Sequence, residues 1–372
     1  MDTENRTHAR LLENLRPEKV HMITGKNGAG KSRFFQYATQ TLYTRQNNGD
    51  DTFKRLICLS GTIHDKYPHR IIYSSNRLKN ERSIYLGYQV NNNMYSELAP
   101  FRKILPFILE SYNNKKDEKF SETEKFLESI NIDASFHIKL EFKKIKNSPN
   151  FIKKPYEFRL DFKQKHSDQH KLLEALSKYD GKSARLLDID ITRKGEKLNI
   201  KSLSSGERTY IQSILGTAFC GAPNSAFFYD EPENSLHPEW HLKMIRDLSE
   251  LIFKIHPKSS LIIATHSPLV AASIPNHQLL ACELPKDQMW KEVNLYGKTN
   301  DAILSEHFHL FSPRSKEVAV TIQACLDEIS KGQISGSEFQ KRARELKNMN
   351  LSIRKSDPLF DVIQTIISKM EF

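Results

Sequence analysis

Four short apolar runs stand out along the chain: Val20-His21-Met22-Ile23-Thr24, Arg55-Leu56-Ile57-Cys58-Leu59-Ser60, Ala226-Phe227-Phe228-Tyr229 and Leu261-Ile262-Ile263-Ala264-Thr265. Runs of this length without alternation predict strands buried on both faces. Between and beside them apolar residues recur at helical spacing, as in Phe34, Phe35, Ala38 and Leu42. The same holds for Tyr210, Ile211, Ile214, Leu215 and Phe219, and for Trp240, Met244, Ile245, Leu248, Leu251 and Ile252. Strands alternating with helices predict an α/β core with a mixed sheet flanked by helices.

The middle of the chain has a different period. Phe101 to Tyr112 and Phe120 to Ile130 carry helical spacing, whereas Phe136, Ile138, Leu140 and Phe142 alternate with polar residues. So do Tyr156, Phe158, Leu160 and Phe162, and a third pair, Leu187-Ile189-Ile191 and Leu198-Ile200, flanks a turn at Lys194-Gly195. Such alternation predicts half-buried antiparallel strands. Residues 61–100 show no clear period. The expected organisation is a core begun by residues 1–60, interrupted by a helical and β-rich lobe over 61–200, and resumed over 201–295. A C-terminal extension, 296–372, holds helical patterns at Val318 to Ile329, Phe339 to Leu346 and Leu359 to Met370. Asp357-Pro358 provides a cap and a first-turn proline for the last. There is no internal repeat and no long heptad stretch, so no coiled-coil arm is expected.

The chemistry starts at Gly25-Lys26-Asn27-Gly28-Ala29-Gly30-Lys31-Ser32, between the first strand and its helix. Strand, glycine-rich loop ending in Lys-Ser, then helix is the context of a phosphate-binding loop. Backbone N–H groups of Asn27 to Arg33 can turn around an anion, and the helix start adds partial positive charge. Lys31 is then placed for the β- and γ-phosphates of ATP and the Ser32 hydroxyl for Mg²⁺. Much later, Leu203-Ser204-Ser205-Gly206-Glu207-Arg208 opens a helix. Ser204, Ser205 and Gly206 there form either a second anion site or a plain helix cap. The strand ending in Asp230-Glu231 puts two carboxylates at a sheet edge, where α/β proteins hold ligands. Asp230 can hold Mg²⁺ and Glu231 can polarise a water. His266 ends the next strand; it can orient that water near a γ-phosphate, or simply be a satisfied histidine.

Composition narrows the partners. The formal net charge is +11, which leans towards polyanions such as nucleic acid. Lys143, Lys144, Lys146, Lys153 and Lys154 cluster around a hairpin tip that can grip phosphates or merely face water. Cys58, Cys220, Cys282 and Cys325 form no CxxC pair, and Cys220 and Cys282 read as core thiols of a reducing compartment. No apolar run approaches a membrane span and the first residues lack a secretion pattern, so a cytoplasmic protein with no membrane partner is expected.

Taken in order, these motifs resemble an ABC-type ATPase: a phosphate loop at 25–32, a signature at Leu203 to Glu207, a Walker B strand at Ala226 to Glu231, a D-loop at Ser235 to His237 and a switch histidine at His266. Ser205 stands where transporters have glycine and Glu207 where they have glutamine, which resembles the OLD-like, RecF and SMC branch. Glu231-Pro232-Glu233-Asn234-Ser235-Leu236-His237-Pro238 and Ala264-Thr265-His266-Ser267-Pro268 are similar to OLD-like ATPases, and Tyr296 to Arg314 resembles anti-phage defence ATPases of the OLD-like and Septu kind. Gln89 is the candidate for the glutamine that such proteins use to link nucleotide and lobe.

The resemblance implies a homodimer that sandwiches two ATP molecules, Ser204 acting in trans. It also implies control of a separate effector chain, a nuclease or toxin. The C-terminal nuclease domain of OLD enzymes has no counterpart among the last hundred or so residues, and His307 and His309 have no acidic cluster beside them. A DNA-repair ATPase clamping DNA, a transporter ATPase and a self-contained toxin remain the alternatives.

Overall fold

The computed structural model describes residues 3–62, 65–73, 82–91, 94–112, 118–142, 155–163, 184–234, 236–308, 315–353, 357 and 359–370. Two compact units divide the chain, Met1–Asn300 and Asp301–Phe372.

The first unit opens with α1 (Thr3–Glu13), β1 (Val20–Thr24), α2 (Lys31–Asn47), β2 (Arg55–Ser60), the single-turn α3 (His69–Tyr73) and β3 (Ser83–Tyr85). A small hairpin, β4 (Gln89–Asn91) and β5 (Met94–Tyr95), leads to α4 (Ala99–Tyr112) and α5 (Lys119–Glu128). Then come β6 (Asp133–Phe142), β7 (Tyr156–Asp161), β8 (Ala184–Arg193) and β9 (Glu196–Asn199). The chain returns through α6 (Ser205–Cys220), β10 (Ser225–Asp230), α7 (Pro238–Ile255), β11 (Ser260–Ala264), α8 (Pro268–Ser273), β12 (Leu279–Glu283) and β13 (Lys291–Glu292).

The main sheet has seven strands in the order β13-β12-β1-β11-β10-β2-β3. All are parallel except β13, which pairs antiparallel at the edge. Every residue of β1, β10 and β11 is buried, which is why these strands read as continuous apolar runs. Parallel pairing puts their carboxyl ends at one edge: Ala264 lies opposite both Ile23 and Asp230, and Asp230 opposite Ser60. With β11 between β1 and β10, the phosphate loop and Asp230 leave the sheet about 10 Å apart.

The core extends beyond residue 60. β3 pairs with β2, and Tyr67, Ile71, Ile72 and Tyr85 share one buried cluster with Phe34, Phe35 and Phe228. The expected lobe boundary at 61 therefore moves past β3. A three-residue strand and a one-turn helix are too short to declare a period in sequence. The lobe itself follows the pattern, with its four antiparallel strands in the order β7-β6-β8-β9. Lys194 and Gly195, both at positive φ, make the tight turn between β8 and β9. Phe120 joins lobe and core, its ring centroid 5.0 Å from both Phe162 and Phe219.

The far boundary also moves, from 296 to 301. Leu295 and Tyr296 N–H groups both donate to Asn276 Oδ1 at 3.0 Å, and Gly297 N–H to the Ala272 carbonyl at 3.2 Å, so these residues belong to the first unit. α9 (Asn300–Glu306), which the sequence pattern does not predict, begins at the boundary, and the second unit contains α10 (Lys316–Ser330), α11 (Ser337–Asn348) and α12 (Phe360–Ser368), close to the three predicted helices. Ile322, Cys325, Phe339, Ala343, Leu346, Ile363 and Ile366 form its own core. All four cysteines are free and buried, in keeping with the reading of Cys220 and Cys282 as core thiols. Among the described residues no helix is long and apolar enough to cross a membrane.

Candidate phosphate-binding and hydrolytic site

Gly25, Gly28 and Gly30 adopt φ of 143°, 82° and 108°, a region that side-chain-bearing residues rarely adopt. At Gly25 space is closed as well, since a Cβ would fall 2.4 Å from the Leu284 carbonyl oxygen. Gly30 caps α2 without any side-chain bond, and no acidic residue sits in the first turn. The helix therefore presents free N–H groups and partial positive charge to an anion.

Three side chains meet in front of this loop. Lys31 is 6% exposed, and its Nζ donates to the Gly25 carbonyl at 3.1 Å and contacts His266 Nε2. Glu231 Oε1 lies 3.9 Å from Lys31 Nζ and 3.2 Å from His266 Nε2. Burial lowers the Lys31 pKa against the pull of Glu231. Burial, reinforced by the neighbouring Glu233, raises that of Glu231. The His266 pKa falls through burial and the adjacent Lys31, which keeps the ring neutral at pH 7. A carboxylate raised towards neutrality suits a general base.

The backbone holds this group in place. Glu231 sits at φ 49°, a left-handed conformation of the kind that clusters at functional sites. Its N–H donates to the Ala264 carbonyl at 2.9 Å. Glu233 Oε1 accepts from the Thr265 hydroxyl at 2.7 Å and from the His266 N–H at 2.8 Å, so one carboxylate fixes the turn that carries His266. Gly61 passes so close that a Cβ there would fall 2.0 Å from the Glu231 carbonyl oxygen. Glu233 lies in the Glu231 to Pro238 run, but nothing in the sequence gives it this role, and nothing there marks Gly61.

Asp230 is 2% exposed, and its carboxyl is pushed up to about 6, first by burial and then by the nearby Asp65. Ser32 bonds to it and opposes the rise. One carboxylate oxygen, Oδ1, is buried with no hydrogen-bond partner. An orphaned buried carboxylate oxygen beside a hydroxyl fits a divalent cation, so Ser32 and Asp230 suit Mg²⁺.

The cleft has a volume of about 230 Å³ and is lined by Asn27, Gly28, Gly30, Lys31, Ser32, Arg33, Lys66, Glu231 and His266. Ala29 does not line it; its N–H turns back to the Lys26 carbonyl at 3.0 Å. Arg33 is held by Glu4, Nε to Oε1 at 2.7 Å. Lys66 was not anticipated, because the loop after β2 has no periodicity to flag it. Gln89 lines a different, larger cavity of about 480 Å³ that shares only Lys66 with the phosphate cleft.

Ser204, Ser205 and Gly206 do not line the cleft of their own chain. Ser204 instead caps α6: its Oγ accepts from the Glu207 N–H at 3.2 Å, and Glu207 Oε2 accepts from the Ser204 N–H at 3.0 Å. Glu207 also pairs with Arg193 of β8. The basic cluster of Lys143, Lys144, Lys146, Lys153 and Lys154, the D-loop serine Ser235, and His309 lie outside the described residues.

A parallel sheet with a glycine-rich loop, a buried Lys-Ser pair and an acidic strand end at one edge defines a P-loop ATPase core. The chain belongs to the family described as "AAA domain, putative AbiEii toxin, Type IV TA system", whose profile matches residues 20–272. No curated protein matches the sequence. Solved structures similar to the chain include "An inward-facing conformation of a putative metal-chelate type ABC transporter", 13% identical, covering 79% of each chain at a TM-score of 0.31. UvrA2 from Deinococcus radiodurans is 12% identical, with 71% of this chain and 32% of that one covered and a TM-score of 0.28. The SmcHead bound to the C-winged helix domain of ScpA is 13% identical, with 75% and 90% covered and a TM-score of 0.34.

Proposed function

We propose that this chain binds and hydrolyses Mg²⁺-ATP at the cleft between the phosphate loop and Glu231, and that two copies close on the nucleotide to control a partner effector. The observation that carries the hydrolytic reading is the convergence of Lys31, Glu231 and His266 in front of a helix N-terminus. The loop N–H groups and Lys31 bind the β- and γ-phosphates. Glu231 accepts a proton from the attacking water, and the neutral His266 donates to or accepts from the same water. Mg²⁺, held through Ser32 and Asp230, neutralises charge on the phosphate oxygens when bound. Water adds to the γ-phosphorus, the bond to the bridging oxygen breaks, and ADP and phosphate leave.

Dimerisation rests on the signature segment. Ser204 caps its own helix and stands outside its own cleft, which fits a role for the partner subunit's Ser204 at this chain's γ-phosphate. ATP then bridges two surfaces and hydrolysis removes the bridge. In size-exclusion chromatography with light scattering, Glu231→Gln with ATP should run as a dimer and Lys31→Ala as a monomer. Identical masses for both would reject the sandwich. The effector is proposed as a separate nuclease of an anti-phage defence complex, by the resemblance of the motifs to OLD-like ATPases; its test is co-purification with a neighbouring gene product.

The net charge of +11 favours a second reading, an ATPase that clamps DNA. That reading needs ATP-dependent DNA binding that weakens steeply with salt. The word toxin in the family description raises a third, and RNA cleavage by the purified chain alone would favour it.

A further inference from the structure

The phosphate cleft contains a second lysine that no motif announces. Lys66 lines it together with Gly28, Gly30, Lys31, Ser32, Glu231 and His266. Lys66 is exposed while both of its neighbours are fastened down. On one side, Asp65 Oδ2 accepts from the Tyr85 hydroxyl at 2.7 Å. On the other, Tyr67 is 4% exposed and its hydroxyl lies 2.8 Å from the Leu59 carbonyl oxygen and 3.1 Å from that of Phe228. These two carbonyls belong to β2 and β10, the strands that end beside the site. The Tyr67 ring also packs on Phe35 of α2, centroids 6.2 Å apart, and on Tyr85, 5.9 Å apart. The loop that carries Lys66 is thus locked to the same strands and helix that carry Asp230 and the phosphate loop.

The residues that share the cleft with Lys66 point to the phosphate it meets. The segment leaves β2 with the Gly61 N–H donating to the Asp230 carbonyl at 2.9 Å and passes against the Glu231 carbonyl. Lys66 itself shares the cleft lining with Glu231 and His266, the candidate base and its neighbour. Lys31, in contrast, is already engaged by Gly25, Glu231 and His266. Among the described residues Lys66 forms no ion pair, so its ammonium group is available to an anion in the cleft.

We propose that Lys66 is a second phosphate-binding cation of the ATPase site, one that contacts the γ-phosphate and stabilises the charge that develops as the terminal phosphoryl group is transferred. A cation on an anchored backbone, aimed where negative charge grows, stabilises a transition state more than a ground state. The flexible Lys66 stem supplies reach, and the pinned neighbours supply position.

This proposal rests on the ATPase reading, and one set of measurements separates the two. Steady-state ATP hydrolysis and ADP affinity are measured for wild type, Lys66→Ala and Lys66→Arg, with trapping of ADP–aluminium fluoride as a transition-state mimic. The expected result is a drop in kcat of about tenfold or more and loss of trapping in Lys66→Ala, with ADP affinity within about threefold of wild type and partial recovery in Lys66→Arg. Wild-type kcat and trapping in Lys66→Ala overturn the proposal, as does an equal loss of ADP affinity and kcat, which would make Lys66 a general anchor for nucleotide. If the wild type itself hydrolyses no ATP, the ATPase reading falls, and this proposal with it.

Discussion

Replacing Asp230 with asparagine should make the nucleotide-free protein more stable while disabling it. The wild-type carboxyl is lifted from its ordinary 3.8 to about 6, chiefly by burial. Its folded pKa is above its unfolded one, so the native state binds the proton more tightly. The associated stability is fully present below about pH 4 and is lost as pH rises through about 6. At pH 7 the charged group then costs the fold about 3 kcal/mol, taking 1.36 kcal/mol for each pH unit of displacement. Asparagine is nearly isosteric, cannot ionise and can still accept from Ser32. For a 300-residue unit, 3 kcal/mol corresponds to a rise in Tm of about 5 °C.

The assay is thermal unfolding of both proteins from pH 4 to pH 8, without nucleotide and with Mg²⁺-ATP. Differences between the two chains cancel the other titrating groups, Glu231 included, to the extent that they are independent of Asp230. The Tm values should converge near pH 4 and separate in favour of Asp230→Asn by pH 7. Mg²⁺-ATP at one thousand times its Kd should reverse the order, since it stabilises the wild type by about 4.1 kcal/mol. A separation that does not change with pH, or a variant less stable than wild type at pH 7, refutes the assignment of a buried, uncompensated carboxylate waiting for a cation.

Other consequences follow from the same geometry. Lys31→Ala should lose ATP binding in equilibrium dialysis, because it removes the cation nearest the loop. Glu231→Gln should bind ATP normally but hydrolyse it at least about a hundredfold more slowly, read by phosphate release; unchanged turnover would exclude it as the base. Glu233→Gln leaves Thr265 and the His266 N–H with a weaker acceptor, so it should lower kcat by about tenfold without changing the fold, as followed by circular dichroism. Gly61→Ala must push the Glu231 turn aside and should cost about 1–3 kcal/mol in urea unfolding together with activity.

How much of this was legible in the sequence depends on how strongly each element declares itself. The strand Val20–Thr24, its glycine loop and Lys31 were readable because phosphate chemistry demands small residues and a Lys-Ser pair at fixed spacing. Asp230 and Glu231 were readable because a fully buried parallel strand is a continuous apolar run that ends abruptly in charge. The lobe strands were readable because one face is buried and residues alternate, as at Phe136, Ile138 and Leu140. Residues 61–91 were not, since β3 and α3 are too short for periodicity and their placement depends on contacts with Phe34 and Phe35 far away in sequence. For the same reason Gly61, Asp65 and Lys66 became visible only when the sheet brought the end of β2 beside the end of β10. The position of Ser204 outside its own cleft is implied in sequence only by the resemblance that puts it in trans, since no spacing or period shows it.

The central claim is that a working site takes Lys31 from one chain and Ser204 from another, and subunit mixing tests it most directly. Lys31→Ala and Ser204→Arg are each inactive alone if the claim holds. Mixed in equal amounts, they form heterodimers in which one of the two clefts has both residues intact. ATP hydrolysis should then return, up to about half of the wild-type rate, since each heterodimer carries one intact site of two. A mixture as inactive as its components, or a Ser204→Arg protein that hydrolyses ATP normally by itself, would contradict the shared site.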